Sequence, residues 1–120
     1  MYRAMPDEQN WRAQVRKGWI EMAILAILWN GRVYGLEILR LLEEESDLVL
    51  AEGTIYPLLN RLRKAGLVAA EWEESDSGHP RKYYSLTAAG RRHCLWMAKE
   101  SAGFIRQMNK LLKPVLQEES

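Results

Sequence analysis

The sequence predicts a mainly α-helical fold with a small β-hairpin and a long C-terminal helix, and three observations predict it. Apolar residues recur at helical spacing in four separate segments. Between the third and the fourth, the runs LVAAEWEE and RKYYSLT have the residue types of short strands and flank SDSGHP, a cluster of turn formers. From Cys94 to Val115 the positions Cys94, Met97, Ser101, Phe104, Met108, Leu111 and Val115 then alternate at spacings of three and four, all but Ser101 apolar, which is the seam of a helix that packs against another helix.

The first helix spans about Asn10 to Trp29. Between Trp19 and Trp29 it is apolar almost all the way round, so it needs cover on several sides: its own core on one, a second subunit on another. Asn30-Gly31 ends it, because glycine turns without strain. The second helix reads from about Tyr34 to Glu45, with Ile38, Leu41 and Leu42 inward, and runs out in EEESD. In the third, Ile55, Leu58, Leu59 and Leu62 hold the i, i+3, i+4, i+7 spacing of a buried face. Pro57 lacks an N–H and fits a first helical turn, which places the helix start near Gly53 or Thr54, and Gly66 closes it. The hairpin follows, with a loose tip. Thr87 caps a last helix running from about Ala88 to Lys113, where Pro114 denies it a further backbone donor. Residues 1–86 then form one domain with its N-terminal helix, and residues 87–120 a C-terminal dimerisation helix. A dimer seam of Trp19, Met97, Ser101, Phe104, Ile105, Met108, Leu111 and Leu112 is expected, with Cys94 and Val115 in the same stripe.

Composition narrows the function. A chain of 120 residues with 48% hydrophobic residues can bury a core, and its single cysteine, Cys94, excludes an intrachain disulfide and suits a reducing, cytoplasmic setting. The apolar stretch from Trp19 to Trp29 is broken by Glu21 and is shorter than the ~20 residues of a membrane span. His79 and His93 have no partner at metal-ligand spacing, and neither a phosphate loop nor a nucleophile motif is present, so neither cofactor nor catalysis is expected. With 17 basic against 16 acidic side chains the net charge is +1, and attraction to a polyanion has to come from local clustering.

That clustering exists. Three helices followed by a hairpin is the order of a winged helix-turn-helix, whose third helix enters the DNA major groove while the hairpin, the wing, lies along the backbone. On the third helix Asn60 and Arg61 have the amide and guanidinium geometry for paired hydrogen bonds to base edges, and Thr54, Tyr56 and Lys64 can reach phosphates. On the wing, Arg81, Lys82 and Tyr83 offer two cations and a phenol. Any one of these residues taken alone is more simply a solvated surface group; their placement on two elements of one DNA-binding arrangement argues for the set.

The stretches VYGLEI, GTIYPLLNRLRKAGLV and HPRKYYSLTAAG resemble the three hallmark stretches of PadR-type transcriptional regulators, in order, over about residues 19 to 92. The resemblance implies a homodimeric winged-helix protein built on its first and last helices, which usually represses nearby genes, and the single C-terminal helix resembles the family's compact branch. It also implies that Thr54, Tyr56, Pro57 and Arg61 belong to the recognition-helix motif, and Arg81, Lys82 and Tyr83 to the wing motif. Three features depart from the pattern: His79 stands where an arginine is frequent, Ala51 where a small polar helix cap is frequent, and Glu71, Glu73, Glu74 and Asp76 load the first wing strand, which is therefore expected to face away from the duplex.

Trp11, Trp19 and Trp96 fall on the helices assigned to the dimer, and aromatic walls between subunits suit a small, flat aromatic effector, although large aromatics more often simply fill an interface. The expected function is a dimeric DNA-binding repressor of a palindromic operator. The competing reading is a dimeric adaptor that uses the winged fold for protein contacts without binding DNA.

Overall fold

A computed structural model describes residues 8–46 and 48–119; residues 1–7 of the expected first domain and Asp47 of the EEESD run lie outside the described residues, as does Ser120. Helix α1 covers Glu8–Ile27 and passes into a single 3-10 turn, Leu28–Asn30. Strand β1 (Val33–Tyr34), α2 (Gly35–Ser46), α3 (Glu52–Lys64), β2 (Val68–Glu73), β3 (Arg81–Leu86) and α4 (Ala88–Glu119) follow.

The core is made where the predicted apolar faces meet. Ile24, Leu25 and Leu28 come from the first helix and its terminal turn, Ile38 and Leu42 from α2, and Ile55, Leu59 and Leu62 from α3; Leu48, Val68, Tyr84 and Cys94 close the cluster. Leu41 and Leu58, on the shoulders of their apolar arcs, are half-buried. Only the second half of α1 takes part, and Trp11 and Trp19 stand out in solvent on its first half and middle.

Three local devices hold the wing and the last helix in place. Gly66 adopts φ 79°, and Leu67 N–H donates to Leu62 O while Gly66 N–H donates to Arg63 O, both at 3.0 Å, the paired bonds that end a helix in a left-handed residue. Thr87 ties the start of α4 to that turn: its N–H donates to Leu67 O at 3.1 Å, its hydroxyl donates to Gly66 O at 2.6 Å, and the same Oγ1 accepts from Gly90 N–H at 3.0 Å. Arg91 adds a link to the end of the first helix, donating to Trp29 O at 3.0 Å with its guanidinium 4.1 Å from the centre of the Trp29 ring.

The structure differs from the sequence reading in four places. Tyr34 does not open α2; it pairs with Tyr83, as Val33 pairs with Tyr84, so the hairpin becomes a three-stranded antiparallel sheet ordered β1-β3-β2. The third helix starts at Glu52, one residue before the earlier of its two expected starts, on Ala51, whose extended backbone (φ −78°, ψ 155°) suits an N-cap and whose side chain offers no capping bond. The wing tip is tied rather than loose: Gly78 N–H donates to Ser75 O at 3.0 Å, and the Ser75 hydroxyl donates to His79 O at 2.6 Å. Finally, α4 does not stop at Lys113 but runs through Pro114 to Glu119. A proline inside a helix loses one backbone hydrogen bond and bends the axis, but it need not end the helix when an apolar stripe continues beyond it, as Val115 and Leu116 do here.

A radius of gyration of 17.6 Å exceeds the roughly 13–14 Å of a compact domain of this length, because α4 projects beyond the rest. On that projection Phe104, Ile105, Met108, Leu111, Leu112, Val115 and Leu116 are all exposed, from 40% at Leu112 to 69% at Leu111.

Candidate nucleic-acid interface

The sides of α3 have different partners. With Ile55, Leu59 and Leu62 inward, helical spacing sends Tyr56, Asn60 and Arg63 toward the wing, Pro57 and Lys64 straight outward, and Thr54 and Arg61 to the opposite flank. The contacts agree. Arg61 forms an ion pair with Glu21 of α1, whereas Arg63 donates to Asn60 Oδ1 at 2.9 Å. Thr54, Pro57 and Lys64 are exposed.

Between α3 and the sheet lies a groove of about 580 Å³, lined by Tyr56, Asn60 and Arg63 from the helix, Trp72, Arg81, Lys82 and Tyr84 from the wing, and Tyr34, Gly35, Leu36 and Pro80 at its ends. Its floor is aromatic and its charge is all positive. The phenol of Tyr56 reaches over Gly35 so closely that a Cβ there would lie 2.9 Å from its Cε1 and Oη, so the glycine makes room for the ring. Burial raises the Tyr56 phenol above its ordinary range, helped by the Glu52 carboxylate and by Tyr34. Burial does the same for Tyr84, with Tyr56 adding to it and the Arg63 guanidinium opposing. Both phenols therefore remain proton donors at neutral pH.

Strand register divides the expected wing set. Trp72 pairs with Lys82 and Ala70 with Tyr84, and Lys82 Nζ lies 5.6 Å from the centre of the Trp72 ring and 5.8 Å from that of Tyr84, on the face turned to α3. Residues Arg81 and Tyr83 alternate to the other face, opposite Glu73 and Glu71. There Arg32 sits 4.5 Å over the Tyr83 ring and forms an ion pair with Glu73, while Arg81 reaches back over Tyr34 at 4.8 Å to the rim of the groove. Glu71 and Glu73 are thus turned away from the groove and from α3. Lys82, Asn60, Tyr56 and Arg81 are brought together; Tyr83 and Arg61 lie on flanks outside the groove lining.

Sequence reasoning passes over Arg63 and Trp72, which line the groove. Arg63 is findable, since it shares the 56, 60, 63 face. Trp72 is not, because its position depends on a strand register that sequence alone leaves open.

A second, apolar groove of about 370 Å³ runs between α1 and α4, with Trp19, Met22, Ala26, Cys94, Ser101 and Ile105 in its lining. Ser101 donates to Met22 Sδ at 3.0 Å. Of the three tryptophans expected at an effector site, Trp19 lines this groove; Trp11 and Trp96 are exposed outside it, and Trp96 stacks on His93 with ring centres 5.9 Å apart. Cys94 is buried, which pushes its thiol up against the opposing pull of Arg91, so it is a packing residue and a poor nucleophile. Among the described residues no cluster of His, Cys, Asp or Glu is placed to hold a metal, and no helix is long and apolar enough to cross a membrane.

Comparison with known proteins supplies the biological setting. The sequence model of the transcriptional regulator PadR-like family matches residues 24–95, which spans α1 from Ile24 through the start of α4. A PadR-like transcriptional regulator from Bacillus cereus is 33% identical, superposes with a TM-score of 0.76, and is matched over 82% of this chain and 96% of its own. For a PadR-like transcription factor from Bacteroides fragilis the values are 36% identity, 0.71, 85% and 98%. For a PadR family regulator from Eggerthella lenta they are 30%, 0.76, 87% and 90%. With the family matched over the winged fold and its basic groove, the chain belongs to the PadR-like transcriptional regulators and is a DNA-binding regulator of transcription.

Proposed function

We propose that the chain acts as a homodimer that represses transcription by occupying a palindromic operator, and that a small aromatic molecule held between the subunits releases it. The observation that carries the dimer is the exposed stripe from Phe104 to Leu116 on α4. Seven large apolar side chains on one projecting helix, with Trp11 and Trp19 exposed on α1, are costly in water and are covered economically by a second copy presenting the same stripe. Two-fold pairing presents two copies of α3 to successive turns of major groove, which is what a palindrome accommodates. In each half, Thr54, Tyr56, Pro57, Asn60 and Lys64 of α3 meet the major groove and its phosphates, while Arg81 and Lys82 hold the backbone from the wing; Tyr83, on the sheet face that carries Glu71 and Glu73, supports Arg32 instead. Arg61 is the member of the expected set already committed to an ion pair within the chain.

The effector would lie against Trp19 and, across the dimer, Trp11 and Trp96. A ligand shifts repression only if it favours one spacing of the two α3 helices over another.

The deciding experiment is a binding titration on the DNA upstream of the protein's own gene, at 50 and 200 mM salt. A dimer touching about 6–10 phosphates loses about 10³-fold or more in affinity across that range. Absence of salt-sensitive binding would leave the adaptor reading. Titrating planar phenolic and cationic compounds while following tryptophan fluorescence and operator release tests the effector, and a broad panel with no quenching counts against it.

A further inference from the structure

The two arginines of α3 are two residues apart and have opposite partners. Arg61 is paired with Glu21, on the flank facing α1. Arg63 lies on the groove side, where its guanidinium is held by the Asn60 side-chain oxygen at 2.9 Å and sits near enough to Tyr84 to pull on its phenol. Lys82 enters the same groove from the facing strand, stacked against Trp72. Among the described residues neither Arg63 nor Lys82 has a carboxylate partner, and no acidic side chain lines the groove. In a chain whose net charge is only +1, unpaired cations concentrated over an aromatic floor form a local anion site, with tyrosine hydroxyls as further donors.

We propose that Arg63 is the arginine of α3 that grips DNA, clamping a backbone phosphate between the recognition helix and the wing together with Lys82, and that Arg61 is a positioning residue which fixes the angle of α3 on α1 through Glu21. Asn60 then serves twice, orienting Arg63 through its oxygen while its amide N–H groups remain free to meet a base edge. Two neighbouring arginines are divided by their partners: one is neutralised by a carboxylate of the same chain, and the other is left to neutralise the ligand. This assignment rests on the DNA-binding reading and adds to it which residues make the contact.

The test uses the full chain and a duplex selected by the wild-type protein from a random-sequence library. Arg63→Ala is expected to lose about tenfold in affinity per contact on the selected and on a scrambled duplex alike. Its log–log salt dependence is expected to flatten by about 0.9 for each phosphate contact removed. Arg61→Glu is expected to weaken binding, and the exchanged pair, Arg61→Glu with Glu21→Arg, to restore it to within a few-fold of wild type, since the ion pair is rebuilt with its ends reversed. Wild-type affinity and salt slope in Arg63→Ala would overturn the phosphate clamp. An exchanged pair as weak as Arg61→Glu alone would overturn the positioning role, since a residue that touches DNA is not rescued from α1. A wild-type protein that selects no duplex would instead remove the DNA-binding reading, and this assignment with it.

Discussion

A Cβ on Gly90 would stand 1.9 Å from the carbonyl oxygen of Leu67, and that obstacle is backbone already fixed by the Thr87 N–H. Neither partner can swing aside. Gly90→Ala is expected to destabilise the fold by about 3 kcal/mol, the upper end of ordinary overpacking, read as a lower urea midpoint. Gly35→Ala meets a movable ring tip, that of Tyr56, so its stability should change by less than about 1 kcal/mol while DNA affinity falls, a split that denaturation and binding curves measured side by side would reveal. At this scale the sequence is a partial guide. The outward face of α3 is legible from the spacing of Ile55, Leu59 and Leu62, and with it the candidacy of Tyr56, Asn60 and Lys64. The choice between Arg61 and Arg63 is not, because it is made by Glu21, forty positions away in sequence, and by a wing strand whose register nothing local declares.

Recognition helix α3 begins on a residue with the right backbone and the wrong side chain. Ala51 holds the extended geometry of an N-cap and offers it only a carbonyl, which accepts from Thr54 N–H at 2.9 Å and Ile55 N–H at 3.1 Å. Ala51→Ser should stabilise the protein by about 1 kcal/mol by satisfying one first-turn N–H, seen as a rise of a few degrees in thermal midpoint. That this start lacks a polar cap is readable from one letter. Other element boundaries are not. Two residues, Val33 and Tyr34, are too few to show alternation, and they become a strand only because β3 has an open edge beside them. The end of α4 escapes the sequence for a different reason: proline weighs heavily in a local reading, yet it removes only one backbone hydrogen bond, and the helix continues through Pro114 to Glu119.

At the scale of the whole molecule, the stripe that α4 leaves bare is the surface on which the proposed dimer rests. Replacing Phe104, 64% exposed in the single chain, with glutamate should leave the winged domain folded and shift the protein to monomers at micromolar concentration, as sedimentation equilibrium would show against a wild-type dimer. The same change should sharply weaken operator binding, since two half-sites held together gain affinity that one alone does not have. Size, composition and the three-four spacing announce the helical architecture before any coordinates are known.

The Thr87 clamp makes α4 and the turn that closes α3 parts of one stiff joint, fastened by three hydrogen bonds and a glycine with no room to spare. In a pair of such molecules crossed at their long helices, nothing soft would lie between pivot and blade. A small change in the crossing angle at α4 would then reach the DNA-facing edges undiminished, in the manner of scissors.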